Sequence, residues 1–340
     1  MLKKILIPLD GSASSEKIVT WCMGLAEPFD SEIVLLSIID PDEVVRPSSD
    51  PGRDRPVPNK GPLDDASAFT EATEGMAHGV HSGNSRAELP GGFGTQAIEQ
   101  AAQNRNTYVT DLASRLPLDV VKVRAMVTVG SPAEEIVRVA DEQGIELIAM
   151  ATHRESALAR GILGSVTDRV IHSSKLPVLA IRPNEISESK SPEIEVVLVP
   201  LDGSVISESA VELATEIAAK TDSELIFTQV TSTFMQSPIG EVGAGYAAPT
   251  GITEDQESAA DYLLSFVNNA NNNGVTASMR NPTGGVVSNI TSLADENENT
   301  IIVIGTRGQG GIKRWVIGSV TDKVIRSSGH PVLVIPPKQS

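Results

Sequence analysis

The chain repeats itself, and that limits what it can fold into more than any other feature. Residues 4–12 read Lys-Ile-Leu-Ile-Pro-Leu-Asp-Gly-Ser, and residues 196–204 read Val-Val-Leu-Val-Pro-Leu-Asp-Gly-Ser. This offset of 192 persists to Ser31-Glu32-Ile33-Val34 against Ser223-Glu224-Leu225-Ile226. A second block, Gly164-Ser165-Val166-Thr167-Asp168 through Ser174, returns as Gly318-Ser319-Val320-Thr321-Asp322 through Ser328 at an offset of 154. The offsets differ by 38, so the first copy carries about that many extra residues. A 340-residue chain built this way holds two domains, each long enough to bury its own core.

Within each copy, short apolar runs alternate with helical periodicity. In the second half, strands are expected at 196–200, 225–230, 275–279, 301–304 and 332–335. Between them, Ser207 is read as opening a helix to about 220, with Ala210, Leu213, Ala214 and Ile217 on one face. Thr253-x-x-Gln256 signals a capping box before a helix to about 269, and further helices are expected at 287–294 and 319–327. First-half strands fall at about 4–9, 32–39, 120–127, 145–151 and 177–182. Alternation of this kind predicts an α/β fold of two tandem doubly wound domains, with parallel sheets flanked by helices and ligands bound at the carboxyl ends of the strands. Aromatics make up only 3%, so the cores must be aliphatic, as buried parallel strands favour. The domains are expected at 1–184 and 193–340, joined by a polar linker at 185–192. An insertion at 41–94, rich in Pro, Gly, Ser and Asp, reads as a largely irregular loop, with a lid or partner-binding loop as the functional alternative. His78 and His81 have a spacing that suits metal, but no Cys accompanies them, and solvated loop histidines are far commoner.

The net charge of −17 disfavours nucleic acid and anionic membrane as partners. The single cysteine, Cys22, cannot form an internal disulfide and reads as a small buried hydrophobe. The apolar start meets Pro8 and Asp10 too soon for a signal peptide, and no run approaches the roughly 20 residues that span a bilayer. A cytoplasmic protein is expected.

The chemistry concentrates in Gly305-Thr306-Arg307-Gly308 through Gly318-Ser319-Val320-Thr321, between a buried strand and a helix start. Glycines at 305 and 308 let backbone approach a ligand closely. Gly318-Ser319 opens a helix whose unpaired N–H groups and dipole suit a phosphate. Hydroxyls of Ser319 and Thr321 add donors, and Arg307, Lys313 and Arg314 add positive charge. A glycine-rich surface turn before an ordinary helix is the plainer reading of the glycines alone. Their spacing, their position after a strand and the Asp202 loop tip the balance toward a phosphate cradle. There is no Walker loop and no Gly-x-Ser-x-Gly elbow, and Gly240-x-x-Gly243-x-Gly245 lacks a preceding nucleotide-binding strand.

Gly305-x2-Gly308-x9-Gly318-Ser319, with Val-Pro-Leu-Asp-Gly-Ser at 199–204, resembles the ATP-binding signature and opening strand of the universal stress protein family. The resemblance covers nearly the whole chain, twice. It implies an adenine nucleotide alpha hydrolase-like fold with five strands per domain, and ATP held between the first and fourth. It also implies that Pro200, Leu201 and Asp202 border ribose and adenine, that Val230 meets adenine through its backbone, and that Gly305 and Gly308 line ribose and phosphates. Gly318, Ser319, Val320 and Thr321 would cradle the phosphates, with Mg or Mn on them as an option that no dense carboxylate cluster demands. The family commonly pairs domains through their last strands, here 177–182 and 331–335, which gives an internal pseudo-dimer and leaves a homodimer open.

The first half departs from this pattern. Ala151 and Arg154 replace the two glycines, while Asp10, Gly164, Ser165 and Val166 remain as a weaker second site. Arg154 and His153 reaching a phosphate would be the rival reading. The function expected is an ATP-binding stress-response or regulatory module with nucleotide mainly in the second domain and an unknown protein partner. The alternatives are a nucleotide-independent interaction protein, or weak ATP hydrolysis or autophosphorylation with Ser319 or Thr321 as acceptor.

Overall fold

The computed structural model describes residues 2–45, 80–81, 93–117, 121–152, 163–182, 193–231, 254–306 and 317–337. In the first half these form β1 (Lys4–Leu9), α1 (Ala13–Phe29), β2 (Glu32–Ile39), α2 (Pro41–Val45), β3 (Val80–His81), α3 (Phe93–Ser114), β4 (Lys122–Val129), α4 (Pro132–Glu142), β5 (Leu147–Ala151), α5 (Ser165–Ser173) and β6 (Val178–Ile181). The second half forms β7 (Val196–Pro200), α6 (Val205–Thr221), β8 (Glu224–Thr228), α7 (Glu254–Asn272), β9 (Ala277–Arg280), α8 (Val286–Ala294), β10 (Thr300–Gly305), α9 (Ser319–Ser327) and β11 (Val332–Ile335).

Strand pairing is parallel within each half, as the right-handed βαβ alternation requires. One junction differs. The last strands of the halves, β6 and β11, pair antiparallel with Leu179 opposite Leu333, which fuses everything into one sheet of order β3-β4-β2-β1-β5-β6-β11-β10-β7-β8-β9. The two copies are thereby related as a pseudo-dimer across that seam. Alternate residues of each strand feed two aliphatic layers. Ile5, Ile7, Val197, Val199 and Leu333 face α1, α3, α6 and α7, whereas Leu6, Leu198, Ile302 and Val334 face α4, α5, α8 and α9. Strands buried on both faces explain why the sequence reads as continuous apolar runs rather than alternating ones.

Three local expectations change. The helix after β7 begins at Val205, capped by Ser204 whose Oγ accepts from Ser207 N–H, so Ser207 lies in the first turn and does not open the helix. The insertion is not wholly irregular: it supplies α2, and Val80–His81 adds a sixth first-half strand that covers the edge of β4. The rest of it, His78 included, lies outside the described residues, as does Thr253 of the expected capping box. At the opposite edge β9 has no such cover among the described residues. There the Asn271 side chain pairs with the Ala277 backbone N–H (3.0 Å) and C=O (3.4 Å), and Arg280 donates to the Met279 carbonyl (3.0 Å), which blunts the edge against further pairing.

Candidate functional site

The site is built from the carboxyl ends of β7, β8 and β10. Leu201 N–H donates to the Thr228 carbonyl at 2.7 Å, the last bond holding β7 to β8 before the chain turns. Gly203 takes φ +78°, a conformation costing an L-residue about 1–2 kcal/mol, and Gly11 takes φ +84° at the same point of the first half. The Asp202 carboxylate is bound into its own turn, accepting from Ser204 N–H at 3.0 Å and Ser204 Oγ at 2.6 Å. The first half repeats this with Asp10 and Ser12 at the same two distances.

Beyond Thr228 the side of the strand matters. Thr228 turns its carbonyl toward β7, while Gln229 and Thr231 donate their N–H groups to Arg280 and Pro282 on the β9 side. Val230 therefore directs its N–H and C=O toward β7, past the point where β7 has already turned away into α6. Its backbone edge lies in the crevice between the strands.

The third wall is the end of β10 and the start of α9. Gly318 N–H donates to Thr306 O at 2.5 Å, and the Thr321 hydroxyl donates to Gly305 O at 2.8 Å. Thr321 is buried, so its hydroxyl is a tie between α9 and β10 and cannot serve as an exposed acceptor for phosphate. Gly318 caps α9 without any side-chain hydrogen bond, and Ser319 is exposed. A helix that opens with no side-chain acceptor leaves its first amides and its dipole directed at whatever sits in front of it. The corresponding ties in the first half are Gly164 N–H to Thr152 O at 2.7 Å and Thr167 Oγ1 to Ala151 O at 2.8 Å.

Gly305 is glycine for a reason the motif does not reveal. A Cβ there would lie 2.6 Å from the Ile206 carbonyl, so the constraint comes from the first turn of α6 packing on β10. In the first half Ala151 stands at this position, on a strand that packs against α1. Arg307, Gly308, Lys313, Arg314, His153 and Arg154 lie outside the described residues.

Two features were not anticipated from sequence. In the second half, Thr228 Oγ1, Gln229 Oε1, Thr231 Oγ1 and Asn281 Oδ1 are buried without a hydrogen-bond partner around the ends of β8 and β9. The offsets map them to Leu36, Ser37, Ile39 and Val127, of which only Ser37 is polar, and it donates to Leu9 O at 3.2 Å. In the first half Thr128 Oγ1 and the Tyr108 hydroxyl are likewise buried without a partner among the described residues. Unpartnered buried polar atoms are costly, and a polar ligand reaching the ends of β8 and β9 would offset that cost. The other feature is Arg105 of α3, whose Nη1 donates to the Asp10 carbonyl at 2.9 Å. Among the described residues no group of three or more His, Cys, Asp or Glu side chains forms a metal site. No described helix is long and apolar enough to cross a membrane.

The universal stress protein family profile matches residues 1–182 and again 193–336. The chain belongs to the universal stress protein family. A universal stress protein of Mycolicibacterium smegmatis is 24% identical over 344 residues, covering 98% of this chain and 97% of that one. Universal stress protein MJ0577 of Methanocaldococcus jannaschii is 26% identical over 182 residues, 54% of this chain and 96% of its own length. In fold, the chain is similar to the crystal structure of a universal stress protein from Archaeoglobus fulgidus, with TM-score 0.68 at 20% identity over 99% of this chain and 100% of that one. Both the family and its tandem arrangement are therefore shared along the full length.

Proposed function

We propose that this universal stress protein is an ATP-binding regulatory module with nucleotide held mainly in its second half. The observation that carries nucleotide binding is the opening of α9, which α5 repeats at Gly164, and the preference for the second half rests on its intact glycine pattern. Gly318 leaves the first turn without a side-chain acceptor, beside the Asp202 turn and the inward-facing backbone of Val230. In this reading Ser319, Val320 and Thr321 hold phosphate through their amides, Ser319 adds its exposed hydroxyl, and Gly305 and Gly308 border the ribose. Arg307 supplies charge, while Pro200, Leu201 and Asp202 frame the sugar and base. The orphaned acceptors around Thr228 support a polar occupant on this side of the molecule. A Mg or Mn ion would have to be held largely by the phosphates, since the described residues offer no ligand cluster. The working location is the cytoplasm. Regulation is favoured over rapid turnover because the described crevice presents no general base.

The direct test is Ser319→Glu. A carboxylate at the first position of α9 suits the helix dipole, so thermal stability should hold, yet it takes the place of phosphate. Calorimetric titration of ATP with magnesium should show binding weakened on the order of tenfold or more. Unchanged affinity would remove α9 from the site. A wild-type chain that binds no ATP would favour the rival reading, an interaction protein built on the pseudo-dimer.

A further inference from the structure

The two halves share a turn, a cap and a set of ties, and among their differences one side chain lies directly on the turn. Tyr108 of α3 and Tyr262 of α7 correspond at the 154 offset, and each faces a glutamate on the helix opened by its Asp-Gly-Ser turn. Tyr262 donates to Glu208 at 3.0 Å, while burial and then Glu16 push the Tyr108 phenol upward. The register of α3 and α7 over their sheets is thus the same. One turn earlier on each helix stand Arg105 in the first half and Ala259 in the second.

Arg105 comes from a helix packed on β2 and β4 and ends on the turn after β1. Its Nη1 donates to Asp10 O at 2.9 Å and lies 2.8 Å from where a Cβ on Gly11 would sit. The guanidinium therefore rests on the face of the Asp10–Gly11 turn. Ala259, 5% exposed, has no side chain long enough to do the same to Asp202–Gly203. Ala151 leaves the Gly164 and Thr167 ties intact, and Arg154, the other departure from the glycine pattern, lies outside the described residues.

We propose that Arg105 is the specificity-determining residue that keeps adenine nucleotide out of the first half, by occupying the space over Asp10–Gly11 that a bound nucleotide would need. The inference rests on the proposed ATP site, because it takes the second half, where Ala259 stands in place of Arg105, as the copy that binds. Arg105 reaches the first-copy turn through a bond to the Asp10 carbonyl that a lysine or glutamine could not reproduce in geometry. The asymmetry of the tandem is then a built-in selection of one site.

The experiment counts ATP bound per chain by equilibrium dialysis with magnesium, on nucleotide-stripped full-length protein. Wild type should bind one, and Arg105→Ala should bind two. Arg105→Gln, which is shorter and uncharged but keeps an amide donor and more bulk than alanine, should gain the second site more weakly. Circular dichroism melts report whether each variant is folded, and Arg105→Gln carries the test if Arg105→Ala is not. No gain in either folded variant would overturn the proposal, and so would a wild type that already binds two. A wild type that binds none would sink the ATP reading itself, whereas a wild type at one with no gain in the variants would sink only the role of Arg105.

Discussion

At the scale of residues, close approach decides more than motif identity. Gly305 sits 2.6 Å, measured from an added Cβ, from a backbone carbonyl that cannot swing aside. Gly305→Ala should cost about 1–3 kcal/mol in urea unfolding whether or not nucleotide is present. An unchanged midpoint would show that α6 can shift freely. Burial pushes the Cys22 thiol well above the ordinary thiol range. It should stay protonated and unreactive toward iodoacetamide in the folded chain at any pH up to 9, and react only on unfolding. Rapid native labelling would contradict its placement.

At the scale of elements, the N-cap of α6 is a clean case. Ser204 Oγ takes Ser207 N–H at 3.1 Å and also donates to Asp202, so Ser204→Ala should cost about 1 kcal/mol and loosen the Asp202 turn with it. Ser12→Ala should cost a similar amount in the first half, read as a matching drop in thermal midpoint. Order and type of the elements were legible because the repeat shows each strand and helix twice, with buried parallel strands announcing themselves as apolar runs. The cap was misplaced by three residues because Ser204 and Ser207 both fit a cap, and only geometry shows which one accepts. β3 was invisible: two residues inside a polar insertion carry no periodicity, and what makes them a strand is the uncovered edge of β4. Arg105 was invisible for a similar reason, since it lies 95 residues from the carbonyl it binds. Aligning α3 with α7 at the 154 offset would have exposed the mismatch with Ala259.

At the scale of the whole molecule, the β6–β11 seam makes two domains one sheet. Leu179 and Leu333 are fully buried opposite each other, and Arg326 of the second half lies 3.5 Å from Asp168 of the first while holding Asp322 at 2.8 Å. The packing outweighs the charges, because a part-exposed ion pair contributes at most about 1 kcal/mol. Leu333→Ala should cost about 2–5 kcal/mol, and the first half should feel it. In a Trp315→Phe background the fluorescence of Trp21, buried under the first-half sheet, should report an earlier urea midpoint. A Trp21 signal indifferent to Leu333 would mean that the halves unfold independently. The same seam leaves each crevice at the carboxyl ends of its own strands, so the two copies can differ in occupancy while sharing a core.

Amide hydrogen exchange with and without saturating ATP and magnesium tests that difference most directly. Exchange should slow at Val230 and at Ser319 to Thr321 and stay unchanged at Ser165 to Thr167. Equal protection of both helix openings, or protection of neither, would contradict it.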